Sequence, residues 1–275
     1  MPTFATPEPI SVILELGVAD LRIVAGDRAD TVVDIQPSDP AKPSDVAVAE
    51  QTLVEYVAGV LHVTAPRGWK RYTSSRGVDS IDVHIALPTG SQLRAGAGVA
   101  ALRSSGTLGD CTYKTGAGDI IVEHITGVAE LATGTGAVRV DRIDGSARVK
   151  NANGDTWIGE VVGDLHVKAA NGKIAVDRAH AAVTAKTANG NIRLDDVARG
   201  LTVAETARGN VDVAVRGGVA AWLDLHTGFG RVDNLLGTGD APAPTQDTVE
   251  VKARSAFGDI TIRRSDADGS LRGAA

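Results

Sequence analysis

Glycine recurs every 18 residues through the middle of this chain, at Gly118, Gly136, Gly154, Gly172 and Gly190. A second comb lies halfway between, at Gly109, Gly127, Gly145 and Gly163, with Ala181 taking one place. Self-similarity at a fixed period marks a chain wound into stacked coils, because one short unit cannot bury its own apolar face. Each coil has two half-coils of about nine residues, and each half alternates with period two.

The columns are visible once the coils are aligned on the comb. Two residues after each leading glycine stand Ile120, Val138, Thr156, Ile174, Ile192, Val211, Val232 and Ile260. Two further on stand Val122, Val140, Ile158, Val176, Leu194, Val213, Asn234 and Ile262. Only Thr156 and Asn234 break these aliphatic columns. Leu131, Val149, Val167 and Ala185 play the same part in the second half-coils, and the residues between are often charged. Parallel, in-register stacking then aligns like with like into a narrow aliphatic core. The glycines fit corners where a positive φ or a close backbone approach excludes a Cβ. Asn153, Asn171 and Asn189 precede three comb glycines and are expected to stack as a corner ladder.

Upstream, Ile10–Leu16, Ala19–Ala25 and Thr31–Gln36 read as strands. Ser38–Pro43 reads as a loop because its two prolines exclude regular structure. Val54–Val57 and Val60–Thr64 read as a hairpin about Ala58 and Gly59, and Ile81–Leu87 as a cleanly alternating strand. Between them runs a basic loop containing Trp69, Arg71 and Tyr72. The expected division is residues 1–92 as an irregular β-rich section capping the solenoid, 93–264 as solenoid repeats and 265–275 as a disordered tail. The first strands and the final strand Gly258–Arg264 are expected at the two ends of the stack.

The segments VILELGVADLRIVAGD and VDSIDVHIALPTGSQLRAGAG, with the T-x-x-G-D-I repeat that follows, resemble a bacterial adhesin-like β-strand-repeat family, the toastrack-like domain of unknown function 4097. The resemblance spans roughly residues 10–264 and implies a single-stranded β-helix. It brings no catalytic residues. Some relatives are attached to membrane segments and linked to envelope-stress sensing. Periodicity and resemblance together give the expected fold: an all-β, single-stranded right-handed parallel β-helix (β-solenoid) with 18-residue coils and an irregular β N-terminal section.

Composition narrows the function classes. The chain is 43% hydrophobic but only 3% aromatic, and its formal net charge of -6 disfavours nucleic-acid binding, which needs a basic footprint. Cys111 is the only cysteine, so no intramolecular disulfide can form. The N-terminal residues lack the basic and apolar regions of a signal peptide, and no apolar run is long enough to span a bilayer. A cytoplasmic location without direct membrane insertion is the expectation.

Lys150, Lys168 and Lys186 repeat at coil spacing and read either as a cationic strip for a polyanion or as a solvated face. Asp141, Asp177 and Asp195, with Glu123 in register, are the acidic counterpart. They lack the glycine-rich calcium nonapeptide and offer few ligands for a hard cation. No histidine pair has metal-ligand spacing, and Gly96-Ala97-Gly98 has neither the Lys nor the helix of a phosphate loop. The mixed aromatic and basic character of the loop residues Trp69, Arg71 and Tyr72 marks a partner-contact candidate. No cofactor, metal or catalytic residue is assigned. The leading reading is a non-enzymatic binding or scaffold solenoid that contacts a protein partner or itself. The alternatives are a β-helix carbohydrate-active enzyme, with Asp177, Lys168 and Arg178 converging in a groove, and a regulatory partner of a membrane protein.

Overall fold

The computed structural model describes residues 1–66, 79–237 and 248–265. The chain forms two compact units, Met1–Asp155 and Thr156–Ala275, each a β-solenoid of parallel strands in register.

In the first unit the strand Ser11–Gly26 runs through both halves of a coil. On one side it pairs in parallel with Gln92–Leu108. On the other it pairs with Val60–Thr64 and Ile81–Pro88. The second coil in sequence therefore stacks outside the first, and the third is laid on the opposite side. Later coils follow in sequence order: Cys111–Ala117 with Ile120–Ile125, Ala129–Thr135 with Val138–Ile143, then Ala147–Asn153. Beyond the outer coil, antiparallel strands close the edges. Leu53–Val57 covers Val60–Thr64, Asp30–Pro37 covers Ile81–Pro88, and Thr3–Ala5 covers Asp30–Pro37. Such covering pairs the edges of the outer coil, and Leu53–Val57 and Thr3–Ala5, which have no described partner on their own outer sides, become the edge strands. The predicted hairpin is present, with Ala58 and Gly59 both at positive φ.

The helix Pro43–Gln51 was not legible as such. It begins on a proline, which suits a first helical turn, and buries Asp45 and Val48. Asp45 accepts hydrogen bonds from the Ser80 N–H and the Lys42 ammonium. Burial pushes its carboxyl up, but these partners outweigh that and hold it below the ordinary value.

In the second unit one sheet contains Leu165–Asn171, Val183–Asn189, Gly200–Arg208, Thr248–Phe257 and Ala220–Phe229, in that order. The other contains Thr156–Val161, Ile174–Ala179, Ile192–Val197, Val211–Val215, Ile260–Arg264 and Val232–Asn234. The final strand thus does not end the stack, as its place in sequence suggested. It is inserted between two earlier coils. The physical reason is the quality of the apolar columns. Val249, Val251, Ala253, Ile260 and Ile262 are all fully buried in the inserted coil. The displaced coil carries Asn234 at a core position, and as the outer coil it leaves that amide exposed. Burying the all-aliphatic coil avoids an unsatisfied amide in the core.

A polar column lines the inner corner of both units. Thr133 Oγ1 donates to Gly118 O at 3.0 Å and Asn151 Nδ2 to Gly136 O at 3.0 Å. Thr206 Oγ1 donates to Gly190 O at 3.0 Å, Ser255 Oγ to Gly209 O at 2.9 Å and Thr227 Oγ1 to Gly258 O at 2.8 Å. Each satisfies a corner carbonyl of the neighbouring coil. The expected asparagine ladder is present where Asn189 Nδ2 donates to Asn171 Oδ1 at 2.9 Å.

Candidate binding groove

Alternation along the strands of the second unit sends every other side chain outward, and strict register turns these into rows. One row reads Lys168, Lys186, Glu205, Arg254 and His226 across five strands. Beside it Ala188, Ala207, Ala256 and Gly228 form a floor of small residues. The two rows line an open groove of about 770 Å³. At its end the rings of Phe229 and Phe257 stack with centroids 5.0 Å apart and planes 6° from parallel. Lys186 pairs with Glu205 at 2.6 Å and Arg254 with Asp224 at 3.6 Å. Lys168 has no ion-pair partner among the described residues.

The predicted site residues are thus only partly brought together. Lys168 and Lys186 are neighbours in one groove. Lys150 lies in the first unit, where Ala132 is its partner on the preceding strand. Trp69, Arg71 and Tyr72 fall outside the described residues. Arg254 and His226 were missed, because the insertion of the final coil places them in the row out of repeat phase.

Each acidic candidate is engaged by a nearby donor or cation. Glu123 accepts from the Gly106 N–H at 2.8 Å, and Asp141 pairs with Arg139 at 3.3 Å. Asp195 pairs with Arg193 at 2.8 Å and Arg263 at 2.7 Å. Asp177 accepts from Trp157 Nε1 at 3.1 Å. Burial raises the Asp177 carboxyl pKa; the Trp157 hydrogen bond opposes this and the nearby Asp195 charge adds to it. Arg178 turns to Glu160 at 3.2 Å, which also holds His180 at 2.8 Å. Asp177 and Arg178 sit on the strand Ile174–Ala179, whereas Lys168 sits on Leu165–Asn171 of the other sheet. The groove predicted from their convergence is therefore not formed. The turn between the two half-coils sends their outward residues to different faces.

In the first unit His124 bridges Thr107 Oγ1 at 3.2 Å and Asp144 Oδ2 at 2.8 Å. That hydrogen bond, together with Arg142, holds the Asp144 carboxyl below its ordinary value. Cys111 is fully buried, and desolvation pushes its thiol up to about 12. No group of three or more His, Cys, Asp or Glu among the described residues is placed to hold a metal ion. No helix among them is long and apolar enough to cross a membrane.

These features define a class: a two-sheet β-solenoid whose coils are locked by corner glycines and whose outer faces carry in-register polar rows. The family model of Toastrack DUF4097 matches residues 11–263, and the chain belongs to that family. No curated protein matches it. Among solved structures, a "putative lipid binding protein" from Parabacteroides distasonis is 12% identical, with 95% of this chain and 96% of that one covered and a TM-score of 0.48. A "putative adhesin" from Parabacteroides merdae is 11% identical over 96% and 95% of the two chains, with a TM-score of 0.44. Another from Bacteroides fragilis is 12% identical over 95% of each, with a TM-score of 0.39.

Proposed function

We propose that this protein is a non-catalytic binding and scaffold solenoid, and that the groove of the second unit takes an extended acidic segment of a protein partner. The observation that carries this reading is the row Lys168, Lys186 and Arg254 beside a floor of small side chains. Three cations meet two carboxylates, Glu205 and the Asp224 that pairs with Arg254, so Lys168 leaves a net positive field along the groove that favours an anion. Small residues leave the backbone accessible, and rigid strands hold the cations at fixed spacing. Adjacent strands are about 4.8 Å apart, so five strands span about 19 Å, the length of about six extended residues.

Hexaglutamate carrying a fluorophore is the simplest probe. Anisotropy titration at low salt should give saturable binding with Kd on the order of 100 µM, weakening as salt screens the exposed charges. The double variant Lys168→Glu, Lys186→Glu should lose it. Absence of saturable binding, or binding unchanged in the double variant, would refute the groove as the contact surface.

A further inference from the structure

Among the described residues, the outer coil of the second unit has an unpaired edge. Ala220–Phe229 pairs with Thr248–Phe257 on one side, and no described strand pairs with its other edge. Its inward-facing Leu223 and Leu225 are only half-buried. Around them Trp222 is 68% exposed, Phe229 70% and Leu235 65%. Exposed strand edges are normally blunted by lysine or proline. The segment AAWLDLHTGF contains neither.

We infer that this edge is the interface of a two-fold dimer in which Ala220–Phe229 of two copies pair antiparallel about Leu225. The sequence of the strand is self-complementary in that register. With Leu225 opposite its own copy, Asp224 faces His226 of the second copy and His226 faces Asp224, so two carboxylate–imidazole contacts form on one face. Trp222 faces Gly228, where no side chain obstructs the indole, and aromatic residues commonly cover glycines across strands. On the inner face Leu223 meets Thr227 and Leu225 meets Leu225. A slip must change the pairing so that the same faces stay inward. The nearest such slips set Asp224 against Asp224 or His226 against His226, and each loses both Asp224–His226 contacts, which the stated register alone keeps. A two-fold contact of this kind also closes, because it uses the same edge of Ala220–Phe229 in both copies and so does not propagate a filament through it. The inference goes beyond the groove reading and stands whether or not that reading holds.

The full chain should sediment as a dimer at about 100 µM and dissociate on dilution to about 0.1 µM. Asp224→Lys should weaken dimerisation at least about tenfold, and adding His226→Asp to that variant should restore it. Leu225→Cys supplies a register test, since residues directly opposite can approach disulfide distance and the native Cys111 is buried. Mild oxidation should link Leu225→Cys chains into covalent dimers but not Leu223→Cys chains, whose counterpart is Thr227. A strict monomer at the high concentration would overturn the proposal. A dimer indifferent to Asp224→Lys, or one that cross-links equally well through position 223, would also overturn it.

Discussion

A Cβ on Gly136 would lie 2.3 Å from the carbonyl oxygen of Gly118, one coil earlier. The same oxygen accepts the Thr133 hydroxyl at 3.0 Å. The corners at Gly136, Gly154, Gly190, Gly209, Gly230 and Gly258 thus combine two side-chain choices, an absent Cβ and a short hydrogen-bond donor three residues before it. Both follow from stacking coils only one strand spacing apart.

Gly136→Ala should therefore destabilise the protein by on the order of 2–4 kcal/mol, because φ is +143° and the methyl meets fixed backbone. Gly217→Ala is the control. No atom lies within 4 Å of its Cβ and its φ is not positive, so its effect should stay within about 1 kcal/mol of zero. Urea midpoints of the two variants, compared with the parent at one pH, check both values.

Thr206→Val keeps the shape but removes the donor to Gly190 O. The carbonyl lies in a buried corner, so the change should cost about 1–3 kcal/mol. Stability unchanged within error would show that the polar column is incidental to the corner.

Asp177 gives a pH signature of defined sign. Its pKa is raised above 3.8 mainly by burial, so the folded state binds that proton more tightly than the unfolded chain does. Its contribution is unpenalised at low pH. It becomes progressively unfavourable as pH climbs from the unfolded value through the raised folded value, and is then constant. Asp177→Asn keeps an oxygen acceptor for Trp157. Relative to the parent it should be more stable at pH 7 than at pH 3, as read from urea midpoints. A relative loss at pH 7 would contradict the burial account.

Cys111 should be chemically silent while the chain is folded. A thiol pushed up to about 12 has on the order of one part in ten thousand as thiolate at pH 8, and its side chain is fully buried. Iodoacetamide should label it only after denaturant unfolds the protein. Labelling of the native chain at the rate of a free thiol would show that the first unit opens readily.

The comb made the coil boundaries legible because a glycine needed at every corner repeats as faithfully as the coil does. The aliphatic columns made the inward faces legible for the same reason. Less visible was Tyr113, which is fully buried in a narrow core. It fits because Ala95, its strand neighbour, is small and because its hydroxyl donates to Ala100 O at 2.8 Å. The helix at Pro43–Gln51 has little apolar periodicity and is anchored through Asp45, a tertiary contact that local pattern cannot reveal. Coil order was the largest omission. Periodicity identifies coils but not their neighbours, so the outward placement of Val60–Pro88 had no local signal, and the insertion of Thr248–Arg264 showed only as the break in the aliphatic column at Asn234. The candidate groove inherits that blindness. Lys168 and Lys186 were readable from spacing, whereas Arg254 and His226 reach the same row only because the final coil is inserted.

The most direct test of the central claim, that the groove of the second unit is the contact surface, is hydrogen exchange by mass spectrometry with and without saturating hexaglutamate. The account predicts slowed exchange confined to the five groove strands, Leu165–Asn171, Val183–Asn189, Gly200–Arg208, Thr248–Phe257 and Ala220–Phe229, and its loss in the Lys168→Glu, Lys186→Glu variant. Protection absent from these strands, or concentrated in the first unit, would contradict it.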